Sequence, residues 1–214
     1  MRNLKDIITE RLNITNNVIC ERLVLSKNKP NTEHTLFPKT RGELKEMIKS
    51  EIEKNGNKCS LNHIDVSKIT DMGYLFLKSN FNGDISEWDV SNVTDMKYMF
   101  DKSAFDGDIS NWDVSNVTDM RSMFSDSEFT SKNGGLNNWN VSRVIITAHM
   151  FHNSKFNGDI SNWDVSSVTN MRGMFGLSKF NCDISSWDVS NVFDMDDMFE
   201  GCPLQNNPPK WYKE

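Results

Sequence analysis

The chain has 214 residues, with 24 Lys+Arg against 30 Asp+Glu and a net charge of −6. That length admits one or two domains, and no run approaches the roughly 20 consecutive apolar residues that a membrane-spanning helix needs. The charge is uneven: residues 1–60 hold 12 basic and 8 acidic side chains (+4), residues 61–214 hold 12 and 22 (−10), and so acidic a body argues against nucleic-acid binding, where neutralised phosphates supply most of the affinity.

The first twenty residues, MRNLKDIITERLNITNNVIC, are interrupted every few positions by charged or polar side chains. They lack the apolar core of a secretory signal. Cys20 is preceded by Asn17-Val18-Ile19, without the small residues that usually precede a lipidated cysteine. The expected location is therefore cytoplasmic, with the cell surface as the alternative if a precursor signal was removed. Thr40-Arg41-Gly42-Glu43 has the spacing of a capping box. Leu44, Met47, Ile48 and Ile52 make an apolar stripe, and Gly56 is placed to end a helix. A helix over 40–55 is expected to cover the start of the segment that begins at residue 61, so residues 1–60 read as an N-terminal segment with a helical cap.

From residue 61 to 211 the chain repeats. Tryptophans fall at 88, 112, 139, 163, 187 and 211, at intervals of 24, 27, 24, 24 and 24. Copies start near 57, 81, 105, 129, 156, 180 and 204, the first and last of them partial. In the copy FDGDISNWDVSNVTDMRSMF, at 105–124, the apolar positions are Phe105, Ile109, Trp112, Val114, Val117, Met120, Met123 and Phe124. Trp112 and Val114 alternate around Asp113, as in a short strand. Val117, Met120, Met123 and Phe124 step by three and four, as in one helical turn. A unit this small cannot bury its apolar face alone, so neighbours must stack and share a core. The predicted fold class is a repeat solenoid with short parallel strands and single-turn helices or 3₁₀ turns in each coil. Pro208 and Pro209 remove ladder donors, and the stack is expected to end there.

This repeat resembles the BspA-like family of bacterial proteins, also called the mycoplasma-type lipoprotein repeat or domain of unknown function 285. WDVSNVTDM occurs twice without change, at 88–96 and 112–120, and the resemblance covers about 61–211. The family is similar to leucine-rich repeats, which implies a leucine-rich-repeat-like solenoid. Its members are typically surface proteins associated with adhesion and protein binding, and none of the repeat residues is known as catalytic. Unlike those surface members, this chain shows no export signal, which points instead to a partner inside a cell.

Three aspartates recur per copy, as at Asp108, Asp113 and Asp119. Stacked carboxylates are hard ligands for calcium, but each Asp also suits a turn, where it accepts backbone N–H bonds. The second reading is the favoured one, and no metal or other cofactor is expected. Four cysteines, Cys20, Cys59, Cys182 and Cys202, show no paired spacing and read as free thiols. The copy at 129–155 diverges: Ile145, Ile146 and Thr147 replace Thr-Asp-Met, and extra residues fall near Lys132–Gly135. Insertions in repeat arrays map to surface loops, often on a binding face. Lys132, Asn133, Arg143, His149 and His152 are the candidate partner-binding residues. The expected function is a non-enzymatic protein–protein interaction module whose partner is a protein, as in an intracellular inhibitor or effector such as a phage-encoded anti-defence protein. A bacterial surface adhesin is the rival from the same fold. A rival from another class is an enzyme built on residues 1–60, a segment that supplies little core.

Overall fold

The structure is a computed structural model that describes residues 33–213, and residues from His34 onward belong to one compact unit. The first twenty residues, with their signal-peptide and Cys20 readings, lie outside the described residues. Helix α1, Arg41–Asn55, forms where the local sequence asks for it. Thr40 accepts a hydrogen bond from the Glu43 N–H at 3.2 Å. The Glu43 carboxylate reaches back to the Lys39 N–H at 2.8 Å, one residue earlier than the usual capping box. Gly56, at φ 81°, closes the helix with a bond to the Ile52 carbonyl. Leu44 and Ile48 are buried in one cluster with Leu61 and Ile64 of the first copy.

Each copy then meets the next in parallel. Single-residue bridges link Asp71 to Asp95, Asp95 to Asp119, Asp119 to Ile146, Ile146 to Asn170 and Asn170 to Asp194. No extended strand forms among the described residues. Where a strand is expected at Trp112–Val114, the backbone turns twice: the Trp112 N–H bonds the Ile109 carbonyl and the Val117 N–H bonds the Val114 carbonyl. Where a helical turn is expected, two residues per copy adopt the left-handed conformation, Ser122 (φ 52°) and Asp126 (φ 52°) in the second full copy. That conformation breaks the helical bond pattern and turns alternate N–H groups out towards the neighbouring copy. The single helical or 3₁₀ turn expected in each coil appears as tight turns closed by bonds three residues apart, such as Met123 N–H to the Met120 carbonyl; the one 3₁₀ helix among the described residues is at Pro203–Asn206.

The core is built of aromatic columns. Phe76, Phe100, Phe124, Phe151, Phe175 and Phe199 stack with centroids 5.5–6.1 Å apart. Phe81, Phe105, Phe129, Phe156 and Phe180 stack at 6.1–6.5 Å. The two columns interlock, with rings 4.1–4.9 Å apart. Trp88 and Trp112 stack at 6.4 Å, as do Trp163 and Trp187. The distances within the columns fall in the range for offset aromatic pairs, and the interlocking contacts lie at or just below its short end. The extra residues near Lys132–Gly135 leave both phenylalanine columns in register. Despite Pro208 and Pro209, Trp211 still stacks on Trp187 at 6.4 Å.

Candidate functional site

The surface with the most varied side chains is carried by the most uniform backbone. In the segment Met72–Lys78, the N–H groups of residues 72, 74, 76 and 78 bond the carbonyls of 95, 97, 99 and 101 at 2.8–3.0 Å. The same four bonds recur from 96–102, 120–126, 147–153 and 171–177, at 2.6–3.0 Å. Every one points the same way, from an N–H of one copy to a carbonyl of the next. We call this surface the turn face.

Two columns of turn-face positions vary along the array, with Tyr74, Leu77, Asp197 and Glu200 exposed and Asp101, Ser122, Ser125, Gly173 and Gly176 buried. One column runs Tyr74, Tyr98, Ser122, His149, Gly173, Asp197, and a second runs Leu77, Asp101, Ser125, His152, Gly176, Glu200. Tyr74 and Tyr98 stack at 4.9 Å. His149 and His152 meet edge to face at 5.5 Å. Both histidine rings lie over glycines, since a Cβ on Gly173 would stand 2.5 Å from His149 Nδ1 and one on Gly176 would stand 3.1 Å from His152 Cδ2. Burial, then the charges of His152 and Arg172, lowers the pKa of His149 below the ordinary histidine value, so it is neutral at pH 7.

The five sequence-derived candidates fall in three places. His149 and His152 share the turn face. Lys132 and Asn133 both return to Asp106: the Lys132 ammonium lies 3.2 Å from its carboxylate, and the Asn133 amide donates to its backbone carbonyl. Arg143 stands where other copies have Asn92 and Asn116, and it donates to Asn116 Oδ1 at 2.8 Å. The insertion therefore folds back on the preceding copy. Tyr74 and Tyr98 do not stand out in the repeat pattern. Their only signal is a large aromatic at a position that elsewhere holds Ser, His, Gly or Asp.

The recurring aspartates are engaged in turns. Asp89, Asp113, Asp164 and Asp188 each accept the N–H of the serine two residues on, at 3.0–3.1 Å. Asn140 makes the same bond to Ser142 at 3.2 Å. A second set, Asp84, Asp108, Asp159 and Asp183, does likewise at 2.9–3.0 Å. Each turn donor offsets the charge that would otherwise set stacked carboxylates against one another. Cys59, Cys182 and Cys202 are free, and burial is the main cause that pushes their thiols up. They stay protonated at neutral pH, where the thiolate is the reactive form.

A family model described as "Mycoplasma protein of unknown function, DUF285" matches residues 43–152 and 126–213. No curated protein matches the chain, and no solved structure does.

Proposed function

The chain belongs to the family described as Mycoplasma protein of unknown function, DUF285, and from that premise we propose that it is a leucine-rich-repeat-like solenoid acting as a non-enzymatic module that binds a protein partner through its turn face. One observation carries this reading: the turn-face backbone repeats bond for bond through five junctions, while most of the side chains it carries change from copy to copy, the pairs Tyr74/Tyr98 and Lys78/Lys102 excepted. A scaffold that holds its backbone constant and varies its side chains presents an individual surface without disturbing its core, which is how repeat proteins build binding faces. The mix is that of a protein interface. Tyr74, Leu77, Tyr98, His149 and His152 supply aromatic, apolar and adaptable polar groups, and Lys78 and Lys102 border the tyrosines.

The test compares three proteins with matched thermal melts as baits in extract from the source cells. They are the native chain, a turn-face variant (Tyr98→Ser, His149→Ser, His152→Ser) and an insertion variant (Lys132→Ser, Asn133→Ser). One stoichiometric protein held by the native and insertion baits and lost from the turn-face bait is the expected result. Loss only from the insertion bait would move the site to Asp106 and its neighbours. Equal capture by all three would overturn the turn-face assignment.

A further inference from the structure

One buried charge on the turn face lacks a hydrogen-bond donor. Asp101, in the first full copy, is 8% exposed, and no donor among the described residues bonds its carboxylate. Asp106, 9% exposed, shows the ordinary arrangement: its carboxylate takes the Thr130 N–H and hydroxyl at 2.8 Å and lies 3.2 Å from the Lys132 ammonium. The local chain explains why Asp101 goes without. In the serine turns the donor is the N–H two residues on, but here that N–H, of Ser103, closes a turn on the Phe100 carbonyl at 3.2 Å. The Lys102 N–H is taken by the Ser125 carbonyl at 2.8 Å. The Ser125 hydroxyl turns to the Asp126 carboxylate at 3.5 Å, and the Lys102 ammonium leans to the same group at 3.9 Å. The rest of this column holds Leu77, Ser125, His152, Gly176 and an exposed Glu200, so no other copy buries a charge there. Burial is the main cause that raises the Asp101 pKa; Lys102 opposes it, Asp126 adds to it and Lys78 opposes it. A buried carboxylate without a donor carries a free-energy cost that folds normally avoid, so its presence calls for a reason outside the fold.

We propose that Asp101 anchors one arginine side chain of the partner protein on the turn face. The neighbours suit a guanidinium. Tyr98 opens the turn that Asp101 closes, with the Asp101 N–H bonded to the Tyr98 carbonyl at 3.3 Å. Tyr98 in turn stacks on Tyr74 with ring planes 9° apart. Leu77 holds the same column one copy earlier and is exposed. A guanidinium gives two parallel donors to a carboxylate and stacks on aromatic rings. Its stem is apolar enough to lie against a leucine. Charge separates arginine from lysine. Lys78 and Lys102 already offset Asp101 and Asp126 at this spot, so a compact ammonium meets two like charges, whereas a guanidinium is delocalised and more weakly hydrated. An anion drawn by the two lysines meets the two carboxylates. A second copy of this chain is the poorer source of the arginine. Among the described residues, Arg41, Arg121, Arg143 and Arg172 each already donate to a group of their own chain. This deepens the protein-binding reading and rests on it.

The test uses the full chain and short capped peptides, glycine on either side of arginine, lysine or citrulline, titrated into the millimolar range by NMR. Saturable shifts of the Asp101 and Tyr98 signals are expected with the arginine peptide, and binding about tenfold weaker with the other two, as for a lost hydrogen bond to a charged group. Asp101→Asn and Asp101→Ser should both lose that binding and keep the native melt, serine being the residue of the second full copy at this place. If one of them melts lower, the other serves for the binding measurements. A melt lowered in both shows that the carboxylate serves the fold and overturns the proposal. So does any of four results: no binding, equal binding of the peptides, shifts confined to other residues, or arginine binding retained by a variant with a native melt. Self-association of the chain that shifts the same Asp101 and Tyr98 signals overturns it too. As a bait in extract, the variant with the native melt should lose the stoichiometric partner. If it keeps the partner that the turn-face variant loses, the anchor proposal fails and the turn-face reading survives. If the turn-face variant keeps the partner as well, that reading fails and the proposal built on it falls with it.

Discussion

At the scale of single residues, the indole is needed for more than its volume. Each tryptophan Nε1 donates to a carbonyl of the preceding copy: Trp88 to Leu61, Trp112 to Ile85, Trp139 to Ile109, Trp163 to Leu136, Trp187 to Ile160 and Trp211 to Ile184, at 2.8–3.2 Å. The ring fills the core, and its N–H takes the second lone pair of a carbonyl that a backbone N–H of its own copy already bonds, as the Trp88 N–H bonds the Ile85 carbonyl. Trp112→Phe keeps an aromatic ring and removes that second, inter-copy bond from the Ile85 carbonyl. A loss of about 0.5–1.5 kcal/mol is expected for the lost bond, read from urea unfolding. Trp211→Phe, at a half-exposed position, should lose less. Glycine 173 is a second such position: it sits at φ 57° with no room for a Cβ beside His149. Gly173→Ala should lose about 1–2 kcal/mol from the left-handed backbone alone. Gly135→Ala meets nothing within 4 Å and should leave the melting temperature within a degree or two of the native value.

At the scale of one turn, the aspartates tie stability to pH. Serine donors hold several carboxyls below their usual range: Ser67 at Asp65, Ser161 at Asp159, Ser185 at Asp183 and Ser190 at Asp188. At Asp84 burial pushes the other way, and the bonds from Ser86 and Asn62 outweigh it. A carboxyl depressed in the folded chain contributes stability above its unfolded value of about 3.9 and loses it as pH falls through the folded value. Asp101 has the opposite sign, since burial raises it. His149, held below the ordinary histidine value by burial, also loses stability as pH falls, so the urea midpoint should decline modestly below about 6.5 and, with five depressed carboxyls against one, fall further below about 4. Asp188→Asn should leave the midpoint at pH 7 nearly unchanged and make the acid loss shallower. Asn140 in the divergent copy makes the same serine bond with an amide, which shows that the turn does not need the charge.

At the scale of the whole array, each copy contacts its neighbours through equivalent bonds, so copies should be removable as units. Deleting residues 156–179 takes out one full copy and rejoins Lys155 to Phe180 in register. Cooperative unfolding should persist, with the urea m-value lower by roughly 15%, in proportion to the surface lost. Deleting residues 156–167 instead shifts the pattern by half a copy and carries Arg172, Asp183, Ser186 and Asp196 into the buried places of Ile160, Met171, Met174 and Ile184. No cooperative transition is expected by circular dichroism. The aligned N–H to carbonyl bonds also resemble those of a helix, whose ends carry opposite partial charge. Arg41 stands at the carbonyl end of the turn face, while Asp194, Asp196, Asp197 and Glu200 gather at the N–H end. Those are the ends at which cations and anions are respectively favoured.

Much of this molecule is legible in its residues alone. Helix α1 follows from Thr40, Glu43, its apolar stripe and Gly56, all of which act within a few residues of one another. The buried residues follow from the 24-residue period, because a side chain that recurs at fixed spacing in a stacked array must recur in the same place. The serine turns of the aspartates are readable too, being bonds between residues two apart. The route of the backbone is not. Alternation at Trp112 and Val114 says which side chains face inward, and both a strand and a pair of turns satisfy it. The folded backbone settles that choice with two turns, Trp112 N–H to the Ile109 carbonyl and Val117 N–H to the Val114 carbonyl, held in place by stacking on the neighbouring copies. Only Gly173 and Gly201 betray the left-handed positions, which the other copies fill with Tyr, Lys, Ser, His, Asp, Asn and Leu under restraint from their neighbours. The attachment of Lys132 and Asn133 to Asp106 is equally hidden, because folding a loop back onto the preceding copy is a property of stacked chains and not of any local stretch.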